Sequence, residues 1–170
     1  MDFQLRPWKE TDLESLVKYA NNWNVAKNLT DGFPHPYTLE HGKSFIERSL
    51  ANMPVTIFAI EVQGEAVGGI GIHPQGDIMK RNAELGYWLG EPFWNKGIIS
   101  AAIPQMVSFA FAKFDIIRIF ARPFGSNIAS QRVLEKCGFQ LEARFPGILE
   151  KQGRIEDELI YGIRKTETGG

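Results

Sequence analysis

The chain has 170 residues, 44% of them hydrophobic and 12% aromatic, which is enough apolar material for one compact core, and a single domain over residues 1–170 is predicted. Its 19 basic and 20 acidic residues leave a formal charge of -1, which excludes a broad electrostatic footprint for nucleic acid or for an anionic membrane. Any anion it binds must be held locally.

A short strand over residues 3–6 comes first. Thr11-Asp12-Leu13-Glu14 reads as a capping box, and Leu13, Leu16, Val17 and Ala20 then repeat at helical spacing. Residues 21–37 carry four asparagines with Gly32, Pro34 and Pro36, too many breakers for regular structure, and form an aromatic loop suited to a lid or acceptor wall. Thr38 caps a second helix with Phe45, Ile46, Ser49 and Leu50 inward. Residues 55–62 and 66–73 flank the turn Gln63-Gly64-Glu65 as an antiparallel hairpin, and a third strand over 83–89 follows the polar turn at Gln75-Gly76-Asp77.

A helix follows Gly97, then a strand over 116–122, a helix over 128–137 stopped by Gly138, and strands over 139–144 and 156–163. The uncharged run 97–112 is shorter than the roughly 20 residues of a membrane span and holds Pro104, Gln105 and two serines, so it reads as a buried helix. Strand, crossover helix and strand in mid-chain imply one parallel pair in an otherwise antiparallel sheet, an α+β or mixed α/β class. Cys137 has no partner for an internal disulfide, and the N-terminal residues have neither a basic leader nor an apolar stretch, so a reduced, cytoplasmic setting is expected. His35 and His73, each beside a proline in a loop, and His41, in a helical pattern, show no ligand spacing, and no metal is expected.

Chemistry concentrates at the junction after the third strand. The chain turns through Gly90-Glu91-Pro92-Phe93-Trp94 and enters a helix at Asn95-Lys96-Gly97-Ile98-Ile99-Ser100. A phosphate there meets unpaired backbone N–H groups and the positive end of the helix dipole, and Gly97 lets the backbone approach closely. A plain strand-to-helix turn gives the same local pattern. No Gly-Lys-Ser or Gly-Lys-Thr is present, so this is not a Walker-type loop.

Three spaced segments carry a resemblance over nearly the whole chain: Ala83-Glu84-Leu85-Gly86-Tyr87-Trp88-Leu89, then Trp94 to Ser100, then Asn127-Ile128-Ala129-Ser130 through Cys137-Gly138-Phe139. The chain resembles the GNAT superfamily of acetyltransferases, and within it the branch of ribosomal-protein N-terminal acetyltransferases. Leu5-Arg6-Pro7, the loop Phe33-Pro34-His35-Pro36-Tyr37-Thr38, Val67-Gly68-Gly69-Ile70-Gly71 and Gly153-Arg154-Ile155-Glu156-Asp157 fit the same branch. The resemblance implies a twisted, mostly antiparallel sheet of about seven strands, one parallel pair at the cofactor site and about four helices.

It further implies acetyl-CoA as co-substrate, with Trp94, Asn95, Lys96, Gly97, Ile98, Ile99 and Ser100 around its pyrophosphate, backbone near Leu89 beside it and Asn127 on its pantetheine arm. The superfamily loop has the form Gln/Arg-x-x-Gly-x-Gly/Ala; here Trp94, Gly97 and Ile99 hold those places, and Pro104 within the helix removes a bond to Ser100. An ammonium group has no lone pair, so transfer to an amine requires a base. Glu84, 13 residues before Gly97, stands near the general-base glutamate of histone-acetylating relatives, with Glu150 as second choice and Lys80 or Arg81 as its structural ion-pair partner otherwise. Ser130 matches the serine that protonates the departing thiolate, although Asn127 and Ser130 also suit a helix cap. Phe33, His35, Tyr37, Trp88 and Asp157 are expected around the acceptor.

The reaction expected is direct transfer from acetyl-CoA to a primary amine, a protein or peptide N-terminal α-amine, by a monomer or homodimer. Two alternatives stay open: a small-amine acetyltransferase acting on a polyamine, amino sugar or amino acid, for which Glu150, Glu156, Asp157 and Glu158 form the acidic grouping, and a non-catalytic acyl-CoA-binding module.

Overall fold

The computed structural model describes residues 1–167. In chain order the elements are β1 (Gln4–Pro7), α1 (Leu13–Ala20), α2 (Trp23–Ala26), α3 (Leu39–Ala51), β2 (Ile57–Val62), β3 (Glu65–Pro74), β4 (Asn82–Leu89), α4 (Ile98–Lys113), β5 (Arg118–Ala121), α5 (Ile128–Lys136), β6 (Gln140–Lys151) and β7 (Arg154–Arg164). The strands form one seven-stranded sheet in the order β1-β2-β3-β4-β5-β7-β6. The parallel pair is β4 with β5, in register from Asn82↔Arg118 to Glu84↔Phe120. The mixed α/β class and the single parallel pair agree with the sequence.

By contact density the described chain divides into two compact units. The first comprises Met1–Gly71 and Tyr87–Ala102. Its core gathers Trp8, Leu16, Ala20, Val25, Tyr37, Ile46, Ala59, Ala66 and Trp88. Trp8 meets Phe45 edge-to-face at 5.2 Å. Beneath α1, the buried Arg6 guanidinium forks onto both Asp12 oxygens at 2.8 Å. The second unit comprises Ile72–Gly86 and the described residues from Ile103 onward, and among its fully buried side chains are Ile72, Ile103, Met106, Ile119, Leu134 and Leu159. Each such side chain stabilises by roughly 1.5–3 kcal/mol relative to exposure.

Local differences from the sequence reading have local causes. Residues 21–37 contain the short helix α2, because the Asn22 side chain accepts the Asn24 N–H at 2.8 Å and caps it. Thr11 caps nothing: α1 is preceded by a 3-10 turn over Glu10–Asp12, and the Asp12 carboxylate accepts the Lys9 N–H at 2.8 Å. His73 lies inside β3 rather than in a loop. β6 and β7 are longer than expected, since Gln152 (φ 47°) and Gly153 (φ 79°) form a tight turn that lets pairing begin at Lys151↔Arg154. In the first unit, a Cβ on Gly68 would lie 2.5 Å from the Trp88 carbonyl oxygen, so β3 and β4 approach there only because that side chain is missing.

Candidate active site

The turn into α4 is held from both sides. A 3-10 turn over Glu91–Phe93 ends β4, and the Glu91 carboxylate accepts from Asn22 Nδ2 at 2.7 Å and Asn24 Nδ2 at 3.1 Å. These bonds, Asn22 foremost, lower the Glu91 pKa. The Trp94 indole N–H donates to the Leu89 carbonyl at 2.7 Å, closing the loop on the strand that leads into it. Asn95 (φ 59°) and Gly97 (φ 75°) both take left-handed backbone, which curls the chain into a concave run of amides ahead of Ile98. α4 then runs unbroken through Pro104. At its start the amides of Ile98 and Ile99 have no preceding helical carbonyl, and Ser100 Oγ donates back to the Gly97 carbonyl at 3.0 Å. A Cβ on Gly97 would project to 3.9 Å from Ser100 Oγ, into the same concavity. This shape and polarity fit a phosphate-bearing group such as the pyrophosphate of acetyl-CoA.

The aromatic loop of the first unit splits into an inner and an outer set. Phe33 contacts Tyr37 at 5.1 Å and Trp88 at 5.4 Å between ring centroids. Tyr37 and Trp88 are buried, and burial pushes the Tyr37 phenol up to about 12. These three rings pin the loop to the core. Trp23 remains exposed and pairs with the exposed His35 at 5.6 Å.

In the second unit, Glu84 projects from β4. Both its oxygens accept from Arg122, at 2.9 Å from Nε and 3.2 Å from Nη2. The Arg122 Nη1 reaches Glu158 at 3.3 Å. The carboxylates, Glu84 foremost, raise the Arg122 pKa further. The partner of Glu84 is therefore neither Lys80 nor Arg81; Arg81 pairs with Asp115 at 3.2 Å. Nothing local in sequence marks Arg122, which becomes a neighbour only through the parallel β4–β5 pairing.

Asn127 caps α5: its Oδ1 accepts the Ser130 N–H at 3.2 Å. Just before it, the Ser126 hydroxyl donates to the buried Glu156 at 2.6 Å. Asp157 accepts from Arg144 at 2.6 Å and from the Gly147 N–H at 2.9 Å, and these bonds lower its pKa, that from Gly147 foremost. Tyr161 is buried and donates to Glu135 at 2.9 Å. Burial pushes the Cys137 thiol up, away from a reactive thiolate. Among the described residues, no group of three or more His, Cys, Asp or Glu stands close enough to hold a metal ion, and no helix is long and apolar enough to cross a membrane.

The mixed sheet with one parallel pair and the left-handed turn between β4 and α4 accompany a family match: the chain belongs to the family of the acetyltransferase (GNAT) domain, whose model matches residues 2–140. It is 33% identical over 107 residues to a Bacillus subtilis (strain 168) protein whose name, ribosomal N-acetyltransferase YdaF, is itself an assignment not yet established. That match covers 63% of this chain but only 58% of the relative. Its fold is similar to the acetyltransferase (GNAT family) from Bacillus anthracis, with a TM-score of 0.83 at 24% identity over 96% of this chain and 95% of that one. RimL, the ribosomal L7/L12 alpha-N-protein acetyltransferase in complex with coenzyme A, superposes with a TM-score of 0.82 at 22% identity, covering 95% of this chain and 93% of RimL.

Proposed function

We propose that the chain transfers acetyl from acetyl-CoA directly to a primary amine, and that this amine is the N-terminal α-amine of a protein or peptide. Family membership and the left-handed turn at Asn95–Gly97 support the first half. One observation carries the choice of acceptor: in the acidic grouping expected to attract a polyamine, three of the four carboxylates are internally paired, Glu150 being the exception. Glu156 pairs with Arg154, Asp157 with Arg144, and Glu158 with Arg122, which also holds Glu84. A polycation finds little uncompensated negative charge there, whereas an acceptor with a single ammonium needs none. The ribosomal acceptor in the names of YdaF and RimL points the same way.

Acetyl-CoA supplies the activated thioester; the chain supplies position and proton transfer. Amides of Asn95 through Ser100 hold the pyrophosphate, and the Trp94–Leu89 hydrogen bond keeps that turn in shape. Asn127 spends its Oδ1 on the helix cap, which leaves its Nδ2 to orient the pantetheine arm. Ser130 gives a proton to the departing sulfur. The β4 face at Glu84 is where the ammonium of the acceptor is drawn and deprotonated. No covalent nucleophile takes part, so proximity within a ternary complex supplies much of the rate.

The test is a thiol-release assay with acetyl-CoA against peptides with free N-termini, spermidine, amino sugars and amino acids, alongside calorimetric titration with acetyl-CoA. Turnover confined to peptides supports the proposal; turnover confined to spermidine overturns the acceptor, and binding without thiol release from any amine makes the chain a binding module.

A further inference from the structure

Beside Glu84, on the neighbouring strand, stands a group that the scheme above leaves unused. The Gln75 N–H donates to the Asn82 carbonyl at 2.9 Å. Two residues back along β3 and two forward along β4, that pairing sets His73 opposite Glu84, with both side chains on one face of the sheet. The next residue on that face is Gly86, and the His73 Nε2 lies 3.8 Å from where a Cβ on Gly86 would be. The ring therefore leans along β4 over bare backbone, with Glu84 on one side of it. An acceptor approaching over Gly86 meets an imidazole nitrogen.

We propose that His73 takes the proton from the acceptor ammonium, with the Glu84 carboxylate balancing the imidazolium charge and Arg122 fixing that carboxylate in place. The inference rests on the acetyl-transfer reading and assigns its base. In the step, one N–H bond of the ammonium breaks, its electron pair stays on nitrogen and the proton goes to Nε2; that pair then bonds the thioester carbonyl carbon as the C–S bond breaks and its electrons leave with sulfur. The second proton that nitrogen sheds on becoming an amide goes to the departing sulfur by way of Ser130, and the imidazolium returns its own to water. No electrons enter or leave.

Two observations favour His73 over Glu84 as the acceptor of that proton, and a third sets it apart from the other histidines. Both Glu84 oxygens already accept from the Arg122 guanidinium, so each is engaged as an acceptor before any ammonium arrives. His73 is exposed at its edge, yet the desolvation of its ring lowers its pKa, while the Glu84 charge acts to raise it. The other two histidines of the chain are engaged elsewhere: His41 Nδ1 accepts the Thr38 N–H at 3.1 Å, and His35 packs on Trp23. The charges facing His73 are few. Glu84 comes from β4, and Arg122 and Glu158, from beyond β5 and from β7, act through it. β2 begins at Ile57, opposite Gly71, and Val55 and Thr56 before it carry no charge.

The experiment uses the full chain. Imidazole resonances are followed from pH 4 to 9 by NMR in the parent protein, Glu84→Gln and Arg122→Gln, and the acid limb of kcat/KM is measured on the best peptide acceptor. The His73 midpoint is expected to fall by about one pH unit in Glu84→Gln and to rise in Arg122→Gln, with the acid limb moving the same way in each. His73→Asn should lose that limb and at least about a hundredfold in turnover at pH 7, while its acetyl-CoA Kd and melting temperature stay near the parent values. An acid limb retained in His73→Asn but abolished in Glu84→Gln overturns the assignment and returns the base to Glu84. A His73 midpoint indifferent to Glu84→Gln overturns the coupling. No thiol release by the parent protein from any amine overturns the acetyl-transfer reading itself, a result distinct from these.

Discussion

Arg122 forks onto Glu84, donating from Nε at 2.9 Å and Nη2 at 3.2 Å across 38 residues of sequence. The pair is partly exposed, with 46% of the arginine side chain open to solvent, so its worth to folding is discounted to below about 1 kcal/mol. Arg122→Gln is therefore expected to shift thermal melting by no more than a few degrees while displacing the pH profile of turnover. A melting loss with an unmoved profile would make the pair purely structural.

The Arg6–Asp12 pair behaves differently because both groups are buried. Burial acts to raise the Asp12 pKa, and the Arg6 fork, the Lys9 N–H and the nearby charges outweigh it, so the carboxyl sits below its ordinary range. A depressed folded pKa gives stability that is present above the unfolded value and is lost as pH falls through the folded one. Urea melts in the parent protein should weaken steadily below about pH 4, and Asp12→Ala should lower stability by about 1–3 kcal/mol at pH 7, since it removes the fork while Glu61 still pairs with the guanidinium.

Gly97→Ala separates space from conformation. A Cβ there meets no atom closer than 3.9 Å, yet the backbone at φ 75° costs an L side chain about 1–2 kcal/mol. Affinity for acetyl-CoA, read by calorimetry, should fall by about tenfold or more, with the melting temperature lowered only slightly. Unchanged affinity would remove this turn from the cofactor site.

Asn127 combines a cap with a proposed contact, and two substitutions divide them. Asn127→Asp keeps an oxygen for the Ser130 N–H and should hold stability, whereas Asn127→Ala loses the cap and about 1 kcal/mol. Both remove Nδ2, so both should raise the KM for acetyl-CoA. If only the alanine variant does so, the cap accounts for the whole effect.

Much of the fold was legible because its signals are local. The β2–β3 hairpin, the Thr38 cap, the helix stop at Gly138 and the glycine that opens α4 each depend on a few adjacent residues. The bounds of β6 and β7 were not, since their length comes from pairing across the Gln152-Gly153 turn rather than from alternation. At the site, local chemistry marked the turn into α4 at Gly97 and a cap at Asn127, both of which the structure shows. The sequence pattern set His73 both at the end of the 66–73 strand and beside a proline in a loop, and the structure decides for the strand, with Pro74 closing β3. The ion-pair alternative for Glu84 named only the nearest basic residues, because a parallel contact between distant segments leaves no trace in either. The loop aromatics were legible as a group, but the division of Phe33 and Tyr37 inward from Trp23 and His35 outward is a property of packing alone.

The C-terminal hairpin carries its own protection against sticking. β6 is an outer strand of 12 residues with Leu141, Phe145 and Ile148 exposed, a surface that invites a neighbouring chain to add a strand. Pro146 in mid-strand has no N–H to offer, the ladder slips between Phe145 and Leu149, and Gly147 gives its N–H to Asp157 instead. The bond that settles Asp157 thus also breaks the outward row of donors, so chains crowded together in a concentrated cell or test tube meet an interrupted edge rather than a template for growth.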